Sequence, residues 1–596
     1  MFRPDQLYSV FGMLGGMASI LVGTAVARAE QPLHEEARFR HPVAIVQASH
    51  PDQVLIANRR SGTVSRVDVS AGKVLCEVPV GQQLSDMVRL PGSSYLAITD
   101  EKQHQLILLE LETLKVVQRV TVSPYPVSVI ADRTGKWCYV TSLWSRRLSV
   151  VRLDHQDPGS SKVTQHFNMP FAPREQLLVR DDRTLIVADS FAANLAILDT
   201  GLPGDGVIKL TGERRFPGHN IRGLDVSADG TMLLVAHQML NELAHTVRND
   251  VHWGLLMSND LRWLKLDNIL QEGVDIYAGA HMHPLGEAGS ATGDPSSLQV
   301  APSGAVVVAL GGVGEIALGK EDDFSLRRVK VGRRPTALLV REDQEQVLVL
   351  NRFDDSLSVV DTSLYEESCR ISLGPGGELT DVIRGERLFF DATVSHDGWM
   401  SCNSCHTDGH TNGMLNDNFS DKSFGAPKRV LSLLGRASTA PFAWNAGNPD
   451  LATQIRRSAE NTMQSDEPLS EKKVVQLVAF LKTLPAPPPV DQLRGQVDQA
   501  LIARGKQIFS SSKCAECHAP PLYTTPRTYD VGLRDKEGNV QFNPPPLVGV
   551  GQRGPFLHDG SVEKLEDVFL HVGHPGESAS WDPESVKALV AFLRSL

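Results

Sequence analysis

Two pentapeptides of the form C-x-x-C-H carry the clearest chemistry in this chain. At this spacing, two thiols can form thioethers to the vinyl groups of one haem while the adjacent imidazole binds its iron. A redox dithiol or half of a zinc site are the alternatives, but a dithiol does not need the histidine, and the cysteine pairs of a zinc site are normally closer. We therefore expect two covalently bound c-type haems, with a histidine on each iron. The motif residues are Cys402, Cys405 and His406, and Cys514, Cys517 and His518.

Residues 1–29 predict that the protein is exported. Arg3 precedes an apolar run from about Val10 to Val26, and Ala27-Arg28-Ala29 has the small residues of a signal-peptide cleavage site. An uncleaved anchor is the alternative, but the run is short and contains glycine, and a spanning helix needs about 20 apolar residues. Because haem c is attached outside the cytoplasm, we expect a periplasmic protein that keeps no transmembrane anchor after cleavage.

Composition predicts a globular chain of several domains. Of its 596 residues, 41% are hydrophobic and 22% are charged, and the net charge of -11 argues against nucleic acid as a partner. Cys76, Cys138 and Cys369 lie outside the haem motifs, each in a strand-like run. We expect them to be buried thiols, with one disulfide as the alternative.

Residues 42–374 repeat one pattern: an apolar strand, a turn, a second strand with a small or polar end, and a third strand that ends in an acidic residue. Successive units are spaced about 42 to 50 residues apart, which is the length of a four-stranded propeller blade. Seven such units predict a seven-bladed β-propeller. The segment Tyr139-Val140-Thr141-Ser142 resembles the signature of the YVTN family of propellers. Further examples of the unit are Val54–Val69, Leu96–Leu111, Leu185–Asp199 and Val347–Asp361.

The fifth unit, residues 221–290, contains a long insertion rich in histidine. Insertions between repeats usually map to loops on one face, often the binding face. Imidazoles are common ligands of copper, zinc and iron, but no pair here has the tight helical spacing of a known metal motif. We therefore expect polar packing or contact with the haem region, and no second metal ion. The histidines are His237, His245, His252, His281 and His283.

After Gly374 the periodicity becomes helical, and a second repeat with two members begins. Each member has an N-terminal helix, a haem motif, a loop and a C-terminal helix, which predicts two tandem all-α cytochrome c domains at 380–486 and 490–596. The fold class is therefore a multidomain β + α chain, a β-propeller followed by two cytochrome c domains. The matching segments are Arg384–Phe389 with Arg504–Phe509 and Leu477–Leu484 with Leu589–Leu596.

The helical region resembles the bacterial dihaem cytochrome c peroxidase and MauG family. In that family one haem reacts with peroxide, the other stores or relays an electron, and a tryptophan lies between them. Trp444 stands at the place of this tryptophan, in a segment that corresponds to the family's W-D-G, and Gln454 stands at the place of a distal-pocket glutamine. The resemblance implies an electron relay at Trp444, with an ordinary core aromatic as the alternative.

The chain departs from the family around the first haem. Where the family has a catalytic glutamate stands Gln464, whose amide cannot donate and recover a proton near neutral pH. Either Glu460 takes this role or peroxide cleavage is slow. Met463 is a candidate sixth ligand because thioethers ligate many c-type haems, and a buried pocket wall is its alternative role.

The second haem also departs from the family. The position of the family's methionine or tyrosine ligand is Val572, which cannot bind iron, while His571 and His574 flank it and either could replace it. The family's calcium ligands are replaced by Arg429 and Arg553, so no calcium ion is expected.

These observations predict an exported dihaem oxidoreductase. The haem of His406 would react with peroxide or substrate, and Trp444 would couple it to the relay haem of His518. The propeller would present a protein or organic substrate or dock a periplasmic electron donor or acceptor. A non-catalytic dihaem electron carrier or sensor is the first alternative. An enzyme with a catalytic metal at the histidine-rich insertion is the second.

Overall fold

The computed structural model describes residues 37–321, 326–419, 422–575 and 581–596. The predicted signal peptide at 1–29 lies outside these residues. Antiparallel sheets occupy the chain up to Ser372, and helices joined by long loops begin at Asp381. The expected change from β to helical periodicity is therefore confirmed.

Most sheets of the β region have four antiparallel strands that pair in sequence order. The first is β1 (Pro42–Gln47), β2 (Gln53–Asn58), β3 (Thr63–Asp68) and β4 (Lys73–Pro79). The second is β5 (Leu84–Arg89), β6 (Tyr95–Asp100), β7 (Gln105–Glu110) and β8 (Val116–Thr121). The third is β9 (Pro126–Ala131), β10 (Trp137–Ser142), β11 (Arg147–Arg152) and β12 (Lys162–Asn168).

The next sheet has seven strands because β16 belongs to two successive units, pairing with β15 through its first half and with β17 through its second. Its strands are β13 (Pro173–Val179), β14 (Thr184–Asp189), β15 (Ala192–Asp199), β16 (Lys209–Val226), β17 (Met232–Leu240), β18 (Met257–Lys265) and β19 (His281–Pro284). Two sheets of four follow. They are β20 (Pro295–Val300), β21 (Ala305–Leu310), β22 (Glu315–Lys320) and β23 (Arg327–Lys330), then β24 (Pro335–Arg341), β25 (Gln346–Asn351), β26 (Ser356–Asp361) and β27 (Glu366–Ser372).

The sheets form a closed ring. The first strand of each unit lies against the first strand of the next, through β1, β5, β9, β13, β16, β20 and β24, and β24 contacts β1. Apolar residues pack between neighbouring sheets, and at the closure Ile45, Val54 and Ile56 pack against Leu348 and Leu350. Radial sheets that close on themselves leave only short outer edges, which makes this region propeller-like.

The polar ends of the second strands fix the hairpins that follow. Asn58 donates to Thr63 Oγ1 at 3.0 Å and to Ser65 Oγ at 2.9 Å. Asn351 makes the same pair of bonds with Ser356 and Ser358. Because buried polar groups need partners, these side chains determine the register of each hairpin.

The histidine-rich insertion lies between β17 and β18, where the short helix α1 (Arg248–His252) forms, and continues past β18 with α2 (Leu266–Leu270). The strands β17 and β18 stay paired from Met232–Lys265 to Leu240–Met257. The residues between them therefore project from one end of that sheet.

The helical region contains two similar helix pairs. Its helices are α3 (Asp381–Phe389), α4 (Cys402–Cys405), α5 (Leu451–Arg457), α6 (Glu471–Leu481), α7 (Val490–Leu493), α8 (Gln499–Ser511), α9 (Leu565–Leu570) and α10 (Pro583–Arg594). A short strand pair, β28 (Leu415–Asn416) and β29 (Lys428–Arg429), lies between α4 and α5. The helix α3 packs on α6, and α8 packs on α10.

The glycine shared by the two repeats explains how each pair crosses. A Cβ atom on Gly385 would lie 1.9 Å from the carbonyl oxygen of Gln476, and one on Gly505 would lie 2.0 Å from that of Ala588. Only glycine allows backbones to approach this closely.

We expect Gly385→Ala to destabilise the protein by about 1–3 kcal/mol, because the added methyl group must push α3 away from α6. Thermal unfolding of the purified protein measures the loss. Gly376→Ala is the matched control, since its nearest neighbour would be Phe39 at 3.6 Å. An unchanged melting temperature for Gly385→Ala would contradict the close approach of α3 and α6 at this glycine.

Candidate functional site

The first haem motif lies on the wall of a large cavity. Cys402, Cys405 and His406 line a space of about 790 Å³, which is ample for a bulky planar ligand. The Nδ1 of His406 lies 2.8 Å from the carbonyl oxygen of Leu431. A bond of this kind orients an imidazole and leaves Nε2 for a metal. Burial lowers the pKa of His406 to about 4, so its ring is neutral at physiological pH.

A carboxylate from the β region holds this motif from behind. Asp294 is fully buried and accepts hydrogen bonds from Ser401 Oγ at 2.7 Å, Asn403 Nδ2 at 3.1 Å and Ser404 Oγ at 2.6 Å. Arg334 balances its charge at 2.8 Å. The motif is therefore bound to the inner rim of the sheet ring.

A second ion cluster also joins the first haem motif to the β region. The Oδ2 of Asp408 forms ion pairs with Arg174 at 2.8 Å and with Arg222 at 2.9 Å, and both arginines belong to the β region. Although burial opposes ionisation, these guanidinium groups hold the pKa of Asp408 well below its usual range. Sequence reasoning missed both clusters because their members are far apart in the chain.

The second haem motif faces another histidine. The Nδ1 of His518 lies 3.0 Å from the carbonyl oxygen of Tyr523. The half-buried ring of His574 lies with its centre 6.5 Å from that of His518. In contrast, His571 is 73% exposed and pairs with Asp567 at 3.0 Å.

Trp444 lies between the two halves. Its Nε1 donates to the carbonyl oxygen of Arg429 at 2.8 Å, and its own carbonyl oxygen accepts from the Asn543 amide at 2.7 Å. The indole lines the cavity of the first motif and meets the ring of His558 edge-on at 6.4 Å. It thus contacts residues of both haem segments, the stretches 380–486 and 490–596 that contain the first and the second haem motif.

Gln454 lines the same cavity. Its Oε1 accepts from Asn448 at 2.7 Å, and its Nε2 donates to Ser458 Oγ at 3.0 Å. Met463 is buried in the cavity wall within an apolar cluster that includes Trp399 and Met400.

Glu460 and Gln464 do not line the cavity. Glu460 is exposed in the π-helical turn that follows α5. Gln464 turns away and donates to the carbonyl oxygens of Thr246 at 2.8 Å and Asn461 at 3.0 Å. Neither of the two residues considered for proton transfer therefore reaches the cavity that Gln454 lines.

His410, close to the first motif, is engaged through both ring nitrogens. Its Nδ1 lies 2.9 Å from Ser432 Oγ, and its Nε2 lies 2.9 Å from the carbonyl oxygen of Gln552. Trp144 and Phe191 of the β region pack against the ring. It therefore joins the β region to both haem segments.

Three buried arginines indicate that the site suits an anionic group. Arg429, Arg436 and Arg553 make no ion pair with any carboxylate of the described residues, and the first and third donate to carbonyl oxygens. Burial, together with its two arginine neighbours, lowers the pKa of Arg436 to about 9. The propionates of haem would supply the missing negative charge, so these residues fit the group. Arg429 and Arg553 hold the two positions expected for calcium ligands.

The histidines of the fifth unit make separate contacts. His237 accepts from Arg262 at 3.2 Å, His281 stacks on Trp263 while the His283 ring packs against it at a tilt, and His245 stacks on Phe424. His252 instead faces two residues of the first haem segment, His396 and Asp397.

Comparisons with known proteins agree with this geometry. Residues 381–486 match the model of the di-haem cytochrome c peroxidase family. The methylamine utilization protein MauG of Methylorubrum extorquens is 26% identical over 281 residues, which cover 36% of this chain and 77% of that protein. The cytochrome c551 peroxidase of Nitrosomonas europaea is 23% identical over 263 residues, covering 36% and 78%.

A solved chain of hydrazine synthase from Kuenenia stuttgartiensis covers 56% of this chain and 99% of its own length, at 16% identity and a TM-score of 0.48. The closed ring of sheets and the family match together define a β-propeller-like region followed by a helical region that is similar to di-haem cytochromes c. Residues 381–486 of the helical region are similar to the di-haem cytochrome c peroxidase and MauG family, whose members carry covalently bound haem c. Within the described residues, no helix is long and apolar enough to cross a membrane.

We expect Asp294→Asn to lower the unfolding free energy by about 3–5 kcal/mol, because the amide leaves Arg334 as an unpaired buried charge. Chemical denaturation of the haem-loaded protein measures the loss. Asp205→Asn, at an exposed turn of the β region, is the control and should stay within about 0.5 kcal/mol. Equal stabilities of the two variants would mean that Asp294 does not hold the motif.

Proposed function

We propose that this protein is an exported dihaem oxidoreductase of the cytochrome c peroxidase and MauG type. One haem c is attached at Cys402 and Cys405 and the other at Cys514 and Cys517. The cavity that joins the first motif to Trp444 carries this proposal, because it places a redox-suited aromatic ring beside one haem segment and in contact with the other. In this reading the sheet ring has seven blades, and the helix pairs are two tandem cytochrome c domains.

The haem of His406 is the reactive one in this proposal. Bound there, haem supplies one-electron chemistry toward peroxide or an oxidisable substrate. Gln454 and Asn448 present amide groups to the cavity, where they orient a polar ligand. Met463 packs among apolar side chains and would serve as a wall of the haem cavity rather than as an iron ligand.

The haem of His518 is the relay. The ring separation of 6.5 Å between His518 and His574 is close to the about 6 Å that one metal ion bonded at about 2 Å to a nitrogen of each ring requires. Burial, with the neighbouring His518, lowers the pKa of His574 to about 4 and keeps its lone pair available. His518 and His574 would together hold the haem iron, and an iron held by two imidazoles would serve electron transfer.

Replacing His574 by alanine should open the second haem. We expect the ferric His574→Ala protein to gain a high-spin signal in its electron paramagnetic resonance spectrum, since one axial ligand is lost. His571→Ala is the matched control, because that imidazole is exposed and bound to Asp567, and its spectrum should not change. A second haem that stays low-spin in both variants would exclude His574 as the ligand.

The β region is proposed to hold the first haem segment and to present a protein or organic substrate beside it. The insertion supports this role, because Thr246 contacts Gln464 and Arg248 contacts Asp466 of the first haem segment. A periplasmic electron donor or acceptor protein would reach the second haem, whose motif has exposed flanks at Lys513 and Glu516. The net charge of -11 does not favour nucleic acid.

A non-catalytic electron carrier or sensor is the second candidate. It is favoured by the position of Glu460 and Gln464 outside the cavity, because peroxide cleavage in the family uses a carboxylate at this place. The two candidates predict different behaviour of the half-reduced protein.

The test mixes half-reduced, haem-loaded protein with hydrogen peroxide in a stopped-flow spectrometer. The enzyme reading predicts oxidation of both haems and a rate that falls about tenfold or more in Trp444→Phe, because the relay is weakened. Trp137→Phe in the β region is the control. No spectral reaction, with both irons low-spin, would support the carrier instead.

A further inference from the structure

A second cluster of metal-ligating side chains lies outside the haem cavity. His252 of the insertion, His396 and Asp397 bring one ligand atom each to a common point. The His252 Nδ1 lies 2.7 Å from Asp397 Oδ2 and 3.1 Å from His396 Nε2, and the latter two atoms are 3.3 Å apart. We propose that this cluster is a binding site for a divalent transition-metal ion.

The separations suit a small ion. Ligands bonded at about 2.0–2.1 Å to a tetrahedral zinc ion lie about 3.3 Å from one another. Zinc and similar ions take both imidazole nitrogen and carboxylate oxygen as ligands in proteins, whereas calcium and magnesium prefer oxygen alone. The geometry of His252, His396 and Asp397 is therefore close to one face of a tetrahedron.

The hydrogen bonds around the cluster leave acceptor atoms facing a common point, which suits a cation. Asp466 accepts from His396 Nδ1 at 2.9 Å, so the Nε2 of His396 carries a lone pair that points at the cluster. With neutral rings, His396 Nε2 and Asp397 Oδ2 are both acceptors that face the one hydrogen available on His252 Nδ1. One metal ion would bond all three atoms at once.

The surroundings are those of a constructed site. A carboxylate behind a ligating histidine fixes its ring and raises its basicity, which is the role open to Asp466. Asp397 Oδ2 also accepts from the Gly289 amide at 3.1 Å, and Arg248 pairs with Asp466. The side chain of His396 is 10% exposed and that of Asp397 is 15% exposed, while that of His252 is 36% exposed and leaves one side open for a further ligand.

The cluster joins two distant segments of the chain, so a bound ion would have a structural role. His252 comes from the insertion, and its partners lie 144 and 145 residues later, just before the first haem motif. The amide of His396 donates to the carbonyl oxygen of Met463 at 3.0 Å, and Trp399 Nε1 donates to that of His252 at 3.1 Å. A bound ion would thus fasten the insertion to the wall of the haem cavity, whether or not the haem is catalytic.

This inference revises the expectation of no second metal at the insertion. The sequence pattern fails here because the histidines of the insertion do not ligate together. Only His252 takes part, and the fold supplies the other two ligands from a distant segment.

The test uses the full haem-loaded protein, dialysed against a chelator and then titrated with Zn²⁺ in competition with a chromophoric chelator. Elemental analysis reports zinc per chain beside the haem iron. We expect one tightly bound zinc ion. His252→Ala and Asp397→Asn should lose it, and Asp466→Asn should weaken binding about 10–100-fold. Thermal unfolding and the haem absorption spectrum confirm that each variant is folded.

His50→Ala is the matched control, because it removes an exposed imidazole that faces the carboxylate of Asp52 at 4.0 Å and has no second histidine. It should bind zinc as the unaltered protein does. Zinc that slows amide hydrogen exchange of residues 243–256 only when His252 is present would add direct support. Equal affinity in the unaltered protein, His252→Ala and Asp466→Asn would overturn the site and leave a hydrogen-bonded contact between segments.

Discussion

The carboxylate of Asp294 is the contact on which the rest of the architecture depends. A buried charge is costly unless it is paired and hydrogen-bonded, and Asp294 meets this condition only when the sheet ring and the first haem motif are assembled together. Arg334 comes from the ring, while Ser401, Asn403 and Ser404 come from the motif. The β region and the first haem segment are therefore parts of one folding unit.

This dependence makes the two haem segments unequal. The first is fastened to the ring through Asp294 and Asp408, and the insertion closes over its side through Gln464 and Asp466. The second segment packs around its own apolar core, with Phe509 against Phe592. The proposed function, a reactive haem in the first segment and a relay haem in the second, is consistent with this difference.

The arginines around the two haem segments fall into two groups that differ in how their charge is neutralised. The ring presents Arg174, Arg222 and Arg334 to carboxylates behind the first motif, so these cations are neutralised within the protein. Arg429, Arg436 and Arg553 have no such carboxylate among the described residues, and they would suit the propionates of a bound haem. The arginines of the ring thus have carboxylate partners within the chain, whereas the other three would be neutralised by the expected cofactor.

The sequence alone determined the local features of this protein. Strand periodicity with polar strand ends predicts the sheets, because a hairpin such as that of Asn58 is stabilised by neighbours in the chain. The haem motifs are readable since their ligands lie within five residues, and the resemblance to the peroxidase and MauG family is confirmed. Counting along a helix to Val572 did not choose between His571 and His574, because α9 already ends at Leu570.

Only the tertiary structure decided the contacts between distant segments. It turned His574 toward His518 and His571 toward solvent, and it moved Gln464 out of the cavity. It also brought Asp294 to the first motif and His252 to His396. No local pattern encodes these pairs, since each depends on how the ring closes and how the helical region docks on it. A buried carboxylate or a metal ligand acquires its role only when the fold supplies its partners.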